Sequence, residues 1–366
     1  MQYLSEYRDV DLVRRLAHRL QEITRAGWRV MEVCGGQTHS ILRNGLDQLL
    51  PTNIELLHGP GCPVCVTAAS EIDKAIELAI KHKTILCTFG DMMRVPGTTG
   101  DLFTARAQGG DVRVVYSPLD ALDIARHNPD REVVFFAIGF ETTAPATAAV
   151  ILKASQERLV NFSVLVAHLR VPPVLCLLLS SPDCKIDGFL APGHVCTVMG
   201  YAEYEKISQE YKVPIVVTGF EQVDILQGLV MLIELLESGK VAILNQYRRS
   251  VRREGNKLAQ ELINKVFFPM DREWRGVGVV KQGGLAMREE FVQFDAVRRF
   301  SLGGGIYAEK NPRCRAGEVL MGRIKPTECP FFATECTPQH PLGAPMVSSE
   351  GACAAYYLYV RTRGQG

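Results

Sequence analysis

The sequence has almost no net charge: its 366 residues carry 41 Lys+Arg against 40 Asp+Glu, a formal charge of +1. A balance so near zero lacks the basic footprint of nucleic-acid binders, so no nucleic-acid partner is expected. Long hydrophobic runs are also missing. The longest strongly apolar stretch near the middle, Val174 to Leu179, is far too short to span a bilayer, so no membrane is expected either. The opening residues, MQYLSEYRDVDLVRRLAHRL, show no basic segment followed by an apolar one. No secretory signal is therefore expected, and the reading is cytoplasmic. Absent too are G-x-x-x-x-G-K-S/T, a G-x-G-x-x-G after a strand, H-E-x-x-H and G-x-S-x-G. Nucleotide hydrolysis, nicotinamide redox chemistry, zinc proteolysis and serine esterase activity are left without support. Disorder is excluded as the main state by a composition that is 47% hydrophobic and 22% charged. The length suits two or three domains of roughly 100–200 residues.

What the chain does have is 11 cysteines, an odd number in a protein too long to need disulfide staples. Cys34, Cys62 and Cys65 lie early, and Cys314, Cys329, Cys336 and Cys353 lie late. A reducing cytosol disfavours structural disulfides, so most are expected to be thiols or metal ligands.

Residues 1–27 read as an N-terminal helix, with Val13, Leu16, Leu20 and Ile23 on one apolar stripe. From residue 28 the pattern becomes short apolar runs, each followed by a helix-period segment. The runs are Trp28 to Val33, Ile54 to His58, Thr84 to Phe89, Val112 to Tyr116, Val133 to Ile138, Ser163 to Ala167, Gly188 to Leu190 and Pro214 to Thr218. Continuous apolar runs of this kind predict an α/β fold of parallel sheets covered by helices on both faces.

An internal similarity divides the eight runs into two sets. Val33 to His39 lines up with Ala137 to Thr143, and Val115 to Ile124 with Val217 to Ile225. Two related α/β domains are predicted, over 28–127 and 128–238, with a less regular C-terminal iron–sulfur segment over 239–366. An arginine-rich stretch in the last segment, Arg248, Arg249, Arg252 and Arg253, reads as helical, and more readily as a solvated face than as a dock for an acidic partner.

Three motifs carry chemistry. The first is Cys314-x14-Cys329-x6-Cys336-x16-Cys353. Four thiolates on loops suit zinc or an iron–sulfur cluster. The missing paired knuckles and the prolines after Cys329 and near Cys336 favour a 4Fe-4S cluster. The second, His58 to Thr67, holds Cys62-Pro63-Val64-Cys65 after a strand and before a helical run through Ile72, Ile76 and Ile80. A C-x-x-C at a helix start favours thiolate and suits a redox pair, although half a zinc knuckle would look the same.

The third motif, Cys34-Gly35-Gly36-Gln37-Thr38-His39, closes the first strand. Gly35 and Gly36 permit a tight turn and close approach of a ligand, and Thr38 is placed to cap the helix that follows. A thiolate before exposed N–H groups suits a soft metal ion with anionic ligands. His39 is either a proton donor or hydrogen-bond partner of that ligand, or a helix residue bonded to backbone. In the related motif of the second half, Glu141 and Thr142 either bind a ligand across the cleft or serve the next helix, capping being favoured for Thr142. Cys87, Cys176, Cys184 and Cys196 read as core thiols, and a metal site of Cys184, Cys196 and His194 is disfavoured by its spacing.

Together, MEVCGGQTH, LHGPGCPVCVT, GFETTAPATA, GFEQVDIL, EWRGVG and the tail from Cys314 through CPFFATECTPQHPLGAPMVSSEGACAAYY resemble the HypD family of NiFe-hydrogenase maturation proteins. The resemblance runs in order from about residue 28 to residue 357, with no departure at a motif cysteine. It implies a redox-active scaffold for metallocofactor assembly rather than a conventional turnover enzyme. On that scaffold an Fe(CN)2(CO) unit is built with a small HypC-like chaperone and a HypE-like cyanide donor, and then passed indirectly to the hydrogenase large subunit. By motif, it implies Cys34 as the iron thiolate, Cys62 and Cys65 as the redox pair, and Cys314, Cys329, Cys336 and Cys353 as ligands of a 4Fe-4S cluster, with Glu350 near the cluster. The competing expectation is a stand-alone dithiol–disulfide oxidoreductase fed by the cluster.

Overall fold

The computed structural model describes residues 6–303 and 313–361. Its strands are β1 (Trp28–Glu32), β2 (Ile54–His58), β3 (Ile85–Thr88), β4 (Asp111–Val114), β5 (Val133–Gly139), β6 (Phe162–His168), β7 (Gly188–Pro192), β8 (Ile215–Thr218), β9 (Ile243–Asn245), β10 (Phe267–Trp274) and β11 (Gly278–Met287). Each of the eight apolar runs is a strand, β1 to β8. The reason is burial on both faces: β3 and β5 to β8 are buried at every residue. The fold is α/β, with parallel sheets flanked by helices and a less regular C-terminal stretch.

The chain forms two compact units, each assembled from separated stretches. The first takes residues 1–62, 171–257 and 315–366, around a parallel sheet ordered β2-β1-β7-β8-β9. The helices Val10–Ile23 and Gln222–Glu237 pack against this sheet through Val13, Leu20, Leu226, Leu229 and Ile233, which share its core with Val30, Leu190 and Val216. Glu237, at the end of the second helix, accepts the N–H groups of Arg25 and Ala26 and the Trp28 indole, fixing the entry into β1. The second unit takes residues 63–170 and 258–314 and holds the parallel sheet β4-β3-β5-β6 together with the antiparallel hairpin β10-β11.

This partition differs from the sequence segments 28–127, 128–238 and 239–366. Each of the two related sets of four strands gives one pair to either sheet: β1 and β2 join β7 and β8, while β3 and β4 join β5 and β6. Numbered within their sets, both sheets read second, first, third, fourth. The physical reason is that doubly covered parallel strands carry no pattern naming their neighbours, so chain order does not predict pairing. The last segment is also divided, since 258–314 belong to the second unit and 315–366 to the first.

Two local expectations change. Arg248 to Arg253 form turns, not a helix. Arg249 turns inward, making two hydrogen bonds of 2.7 and 2.5 Å to the fully buried Asp224 and lying over the rings of Tyr7 and Tyr247. The helix after Cys62 has only four residues, Pro63–Val66, and the longer Ala69–Ile80 helix starts afresh beyond it.

In the second unit His168 closes β6 fully buried, its Nε2 3.4 Å from the Thr147 hydroxyl. Burial, with Arg272 adding to it, pushes the imidazole down from 6.5 to about 3. The unfolded chain takes up this proton near pH 6.5 and the folded one only near 3, so His168 removes stability as pH falls through that window. A His168→Asn variant should therefore show a shallower loss of urea stability between pH 6.5 and about 3 than the parent; identical slopes would show that the buried ring takes its proton as readily as in the unfolded chain.

Candidate functional site

Cys34 stands where β1 turns into the helix Gly35–Arg43, in extended conformation at the N-cap position. Its thiol, 1% exposed, receives the backbone N–H groups of Gln37 and Gly36. Burial pushes the thiol well above the ordinary cysteine range, those two N–H groups pull the other way, and the charges of Glu32 and Glu350 add to the rise.

β1 and β7 are neighbours at the point where the strand order of this sheet reverses, the usual place for a ligand crevice in such sheets. His194 follows β7 and brings its Nδ1 to 3.6 Å from the Cys34 sulfur. Burial pushes His194 down to about 4, and its ring leans on Phe220 with centroids 5.0 Å apart. A neutral thiol therefore faces a neutral imidazole, with the S–H placed to donate to the ring nitrogen.

Behind Cys34 lies a buried polar chain. Glu32, the last residue of β1, is fully buried, and its register partner on β2 is His58. Glu32 Oε2 accepts the Cys34 N–H at 2.9 Å, and Oε1 accepts the Thr38 hydroxyl and His58 Nδ1, the latter at 2.7 Å. His58 Nε2 in turn lies 3.2 Å from the Tyr356 hydroxyl. Thr38 is thus spent on Glu32 and on the Cys34 carbonyl, and the helix has no side-chain cap, contrary to the capping expected of Thr38. The stronger acceptor, a buried carboxyl, takes the hydroxyl.

The segment Gly59 to Cys62 crosses directly over this turn. Gly59 N–H bonds Glu32 O at 2.8 Å and Gly35 N–H bonds Gly61 O at 2.9 Å. A side chain at Gly61 would meet the Cys34 nitrogen at 2.2 Å, and one at Gly35 would meet Glu350 Cβ at 2.7 Å and Cys62 Cβ at 3.2 Å. Gly36 faces Phe220 and the Cys34 sulfur. Gln37, fully buried, reaches Thr218 Oγ1 at 2.6 Å and Ala191 O at 3.3 Å, tying the ends of β8 and β7. Its Oε1 is buried without a hydrogen-bond partner among the described residues. The His39 ring is held by the Ser349 carbonyl at 3.2 Å and the edge of Tyr359. Glu350 is an exposed residue whose carbonyl oxygen and Cβ sit against Gly35.

Cys62 and Cys65 are disulfide-bonded, and none of the other nine cysteines is in a disulfide. In the second unit Glu141 is buried just beyond β5. The N-cap of the following helix, Ala144–Gln156, is Thr143 rather than Thr142, with its hydroxyl turned back to the carbonyls of Ile138 and Phe140.

Cys314 is a half-buried thiol of the second unit, whereas Cys329, Cys336 and Cys353 belong to the first. There a tight loop brings Phe332 N–H to Cys329 O and Leu342 N–H to the Cys336 sulfur at 3.4 Å, and Cys353 lies in the first turn of the helix Ala352–Tyr359. Among the described residues no group of three or more His, Cys, Asp or Glu side chains stands together ready to hold a metal ion.

Sequence reasoning gave no role to Glu32, His58 and Tyr356, and weighed His194 only for a disfavoured metal site with Cys184 and Cys196. The available signal was a Glu and a His each ending an apolar run, where a charged residue at the carboxyl edge of a covered sheet faces the ligand crevice. His194 follows the Pro-Gly that ends β7, but only strand order places it beside Cys34.

Gly61→Ala should destabilise the protein by ~3 kcal/mol, because the added methyl meets backbone rather than a yielding side chain. Gly90→Ala, where the nearest atom is Val114 Cγ1 at 3.6 Å, should stay within about 0.5 kcal/mol of the parent. Urea melts of the two variants side by side check this, and equal effects would mean that the crossing is looser than its geometry.

The HypD family model, described as the Hydrogenase formation hypA family, matches residues 11–360. The chain is similar to Hydrogenase maturation factor HypD of Escherichia coli, 47% identical over 98% of this chain and 98% of that protein. It is 46% identical to the protein of the same name from Cupriavidus necator, over 99% of this chain and 98% of the relative. The Rhodobacter capsulatus factor of that name is likewise 46% identical, over 98% of each chain.

Proposed function

Because the chain belongs to the HypD family, we propose that it is the scaffold on which the Fe(CN)2(CO) unit of a NiFe-hydrogenase is assembled. A HypC-like chaperone shares the iron, a HypE-like protein donates cyanide, and the hydrogenase large subunit receives the product. The proposed setting is the cytoplasm. Among the described residues no helix is long and apolar enough to cross a membrane.

The observation that carries this reading is the buried Cys34 thiol with His194 Nδ1 at 3.6 Å. Burial makes a bare thiolate costly, so a soft iron that replaces the proton removes that cost. His194 Nδ1, next to the sulfur, is placed to accept a hydrogen bond from the thiol until the iron replaces its proton. The N–H groups of the first helical turn, two of which point at the Cys34 sulfur, lend the site partial positive charge that suits an anionic ligand shell.

Cys62, whose Cβ lies against Gly35 of this turn, and Cys65 would supply thiol redox chemistry. Opening their disulfide consumes two electrons and two protons and yields two thiols. Cys314, Cys329, Cys336 and Cys353 would hold a 4Fe-4S cluster: none of the four is tied up in a disulfide, and the Leu342 N–H on Cys336 is the kind of donor that stabilises a ligating sulfur. When bound, such a cluster supplies electrons singly. The oxidised state of Cys62 and Cys65 favours one other reading, a stand-alone dithiol–disulfide oxidoreductase.

Infrared spectra separate the two. Protein purified anaerobically with its small chaperone should show cyanide and carbonyl stretching bands that vanish in Cys34→Ala. Bands that persist in that variant would remove Cys34 from the role, and turnover of generic disulfides without any bands would favour the oxidoreductase. Cys336→Ser and Cys353→Ser should each lower the iron and sulfide bound by anaerobically purified protein several-fold. Unchanged iron and sulfide contents would remove these thiols from the cluster.

A further inference from the structure

Stability alone does not account for the chain Glu32–His58–Tyr356, since well-packed apolar side chains of similar volume commonly serve as well as a buried polar pair. What distinguishes it is where its bonds go. Both Glu32 oxygens are spent on the Cys34 turn and its support, one on the Cys34 N–H and the other on Thr38 and His58. The far end of the chain is Tyr356, in the helix Ala352–Tyr359, one turn beyond Cys353 on the same helical face. The same helix receives the loop of Cys329 and Cys336, through Phe332 against Tyr357 with ring centroids 6.3 Å apart. Two further ties join this C-terminal stretch to the Cys34 turn: His39 to the Ser349 carbonyl and the Tyr359 ring, and Gly35 against Glu350.

We infer that Glu32, His58 and Tyr356 are positioning residues that hold the Cys34 thiol in its crevice and make its placement depend on the seating of the helix that carries Cys353. The inference rests on the proposed iron-binding role of Cys34 and adds to it a line of control from the thiol-bearing tail. With His58 Nδ1–H donating to Glu32, its Nε2 accepts the Tyr356 hydroxyl, and the phenol, kept protonated by burial, is a fixed donor. Removing that one hydroxyl leaves the packing of the ring in place but frees His58, and through it Glu32, to turn away from the Cys34 N–H.

The test uses the full-length, iron-free protein. Cys34 and Cys196 are both buried thiols of the first unit, and their maleimide labelling rates are read by peptide mass spectrometry in the parent, Tyr356→Phe and His58→Gln. In either variant Cys34 should label about fivefold faster or more, the lower end of coupling between sites, with Cys196 unchanged. Unchanged Cys34 labelling in Tyr356→Phe, the milder substitution, would overturn the inference. An equal rise at Cys34 and Cys196 would also overturn it, because that is general loosening. The measurement needs no iron, so it succeeds or fails apart from the infrared bands that test the iron-binding role.

Discussion

A carboxyl group with no exposed surface has no water to bond, and the turn at Cys34 is arranged around where Glu32 finds its donors. Three segments supply them: the backbone of Cys34, the hydroxyl of Thr38 in the helix that follows, and the imidazole of His58 at the end of the adjacent strand. The parallel register that pairs Glu32 with His58 makes the last of these possible. Once those bonds are made, the position of the thiol follows, because its residue lies between two of the donors. The close crossing of Gly61 and the contact of Gly35 with Glu350 then close the turn from the other side. Placing an ionisable group at the centre of the sheet edge is costly in general, and the full satisfaction of both oxygens is what makes it tolerable.

Much of the fold was legible in the sequence. All eight apolar runs are strands, and the N-terminal stripe of Val13, Leu20 and Ile23 is the helix Val10–Ile23. These signals are local and strong, since burial on both faces or on one stripe leaves its mark on consecutive residues. The partition into units was not legible, because pairing between strands far apart in sequence leaves no local mark. The hairpin β10-β11 was missed for a different reason: much of β10 is exposed, so it lacks the continuous apolar run that identified the other strands. At the site, the position of Cys34 at a strand end was readable, but His194 lies 160 residues away and reaches it only through the adjacency of β1 and β7. Thr38 and Arg249 were misread alike. Each looked like a local feature, a cap or a solvated face, and each is claimed by a buried carboxyl, Glu32 or Asp224.

The two related halves show how one architecture carries unequal chemistry. Corresponding helices after β4 and β8 open with the same reciprocal cap, Ser117 with Asp120 and Glu221 with Asp224. The turns after β1 and β5 also correspond, yet the second has Ile138 where the first has Cys34, and its Gly139 adopts a positive φ of 145°. The crevice at the reversal of strand order is general to the fold, whereas the thiol of Cys34 belongs to one copy alone.

The interleaving of the two units has a consequence for synthesis. A chain emerging from the ribosome presents Cys34 early, but the sheet around it cannot close until β7, β8 and β9 have followed, and Tyr356 arrives later still. Contacts of such long sequence separation form late and slowly. The surroundings of the thiol are complete only once the residues as far as Tyr356 have been made. A product truncated before Tyr356 carries the cysteine but not the hydrogen-bonded chain behind it.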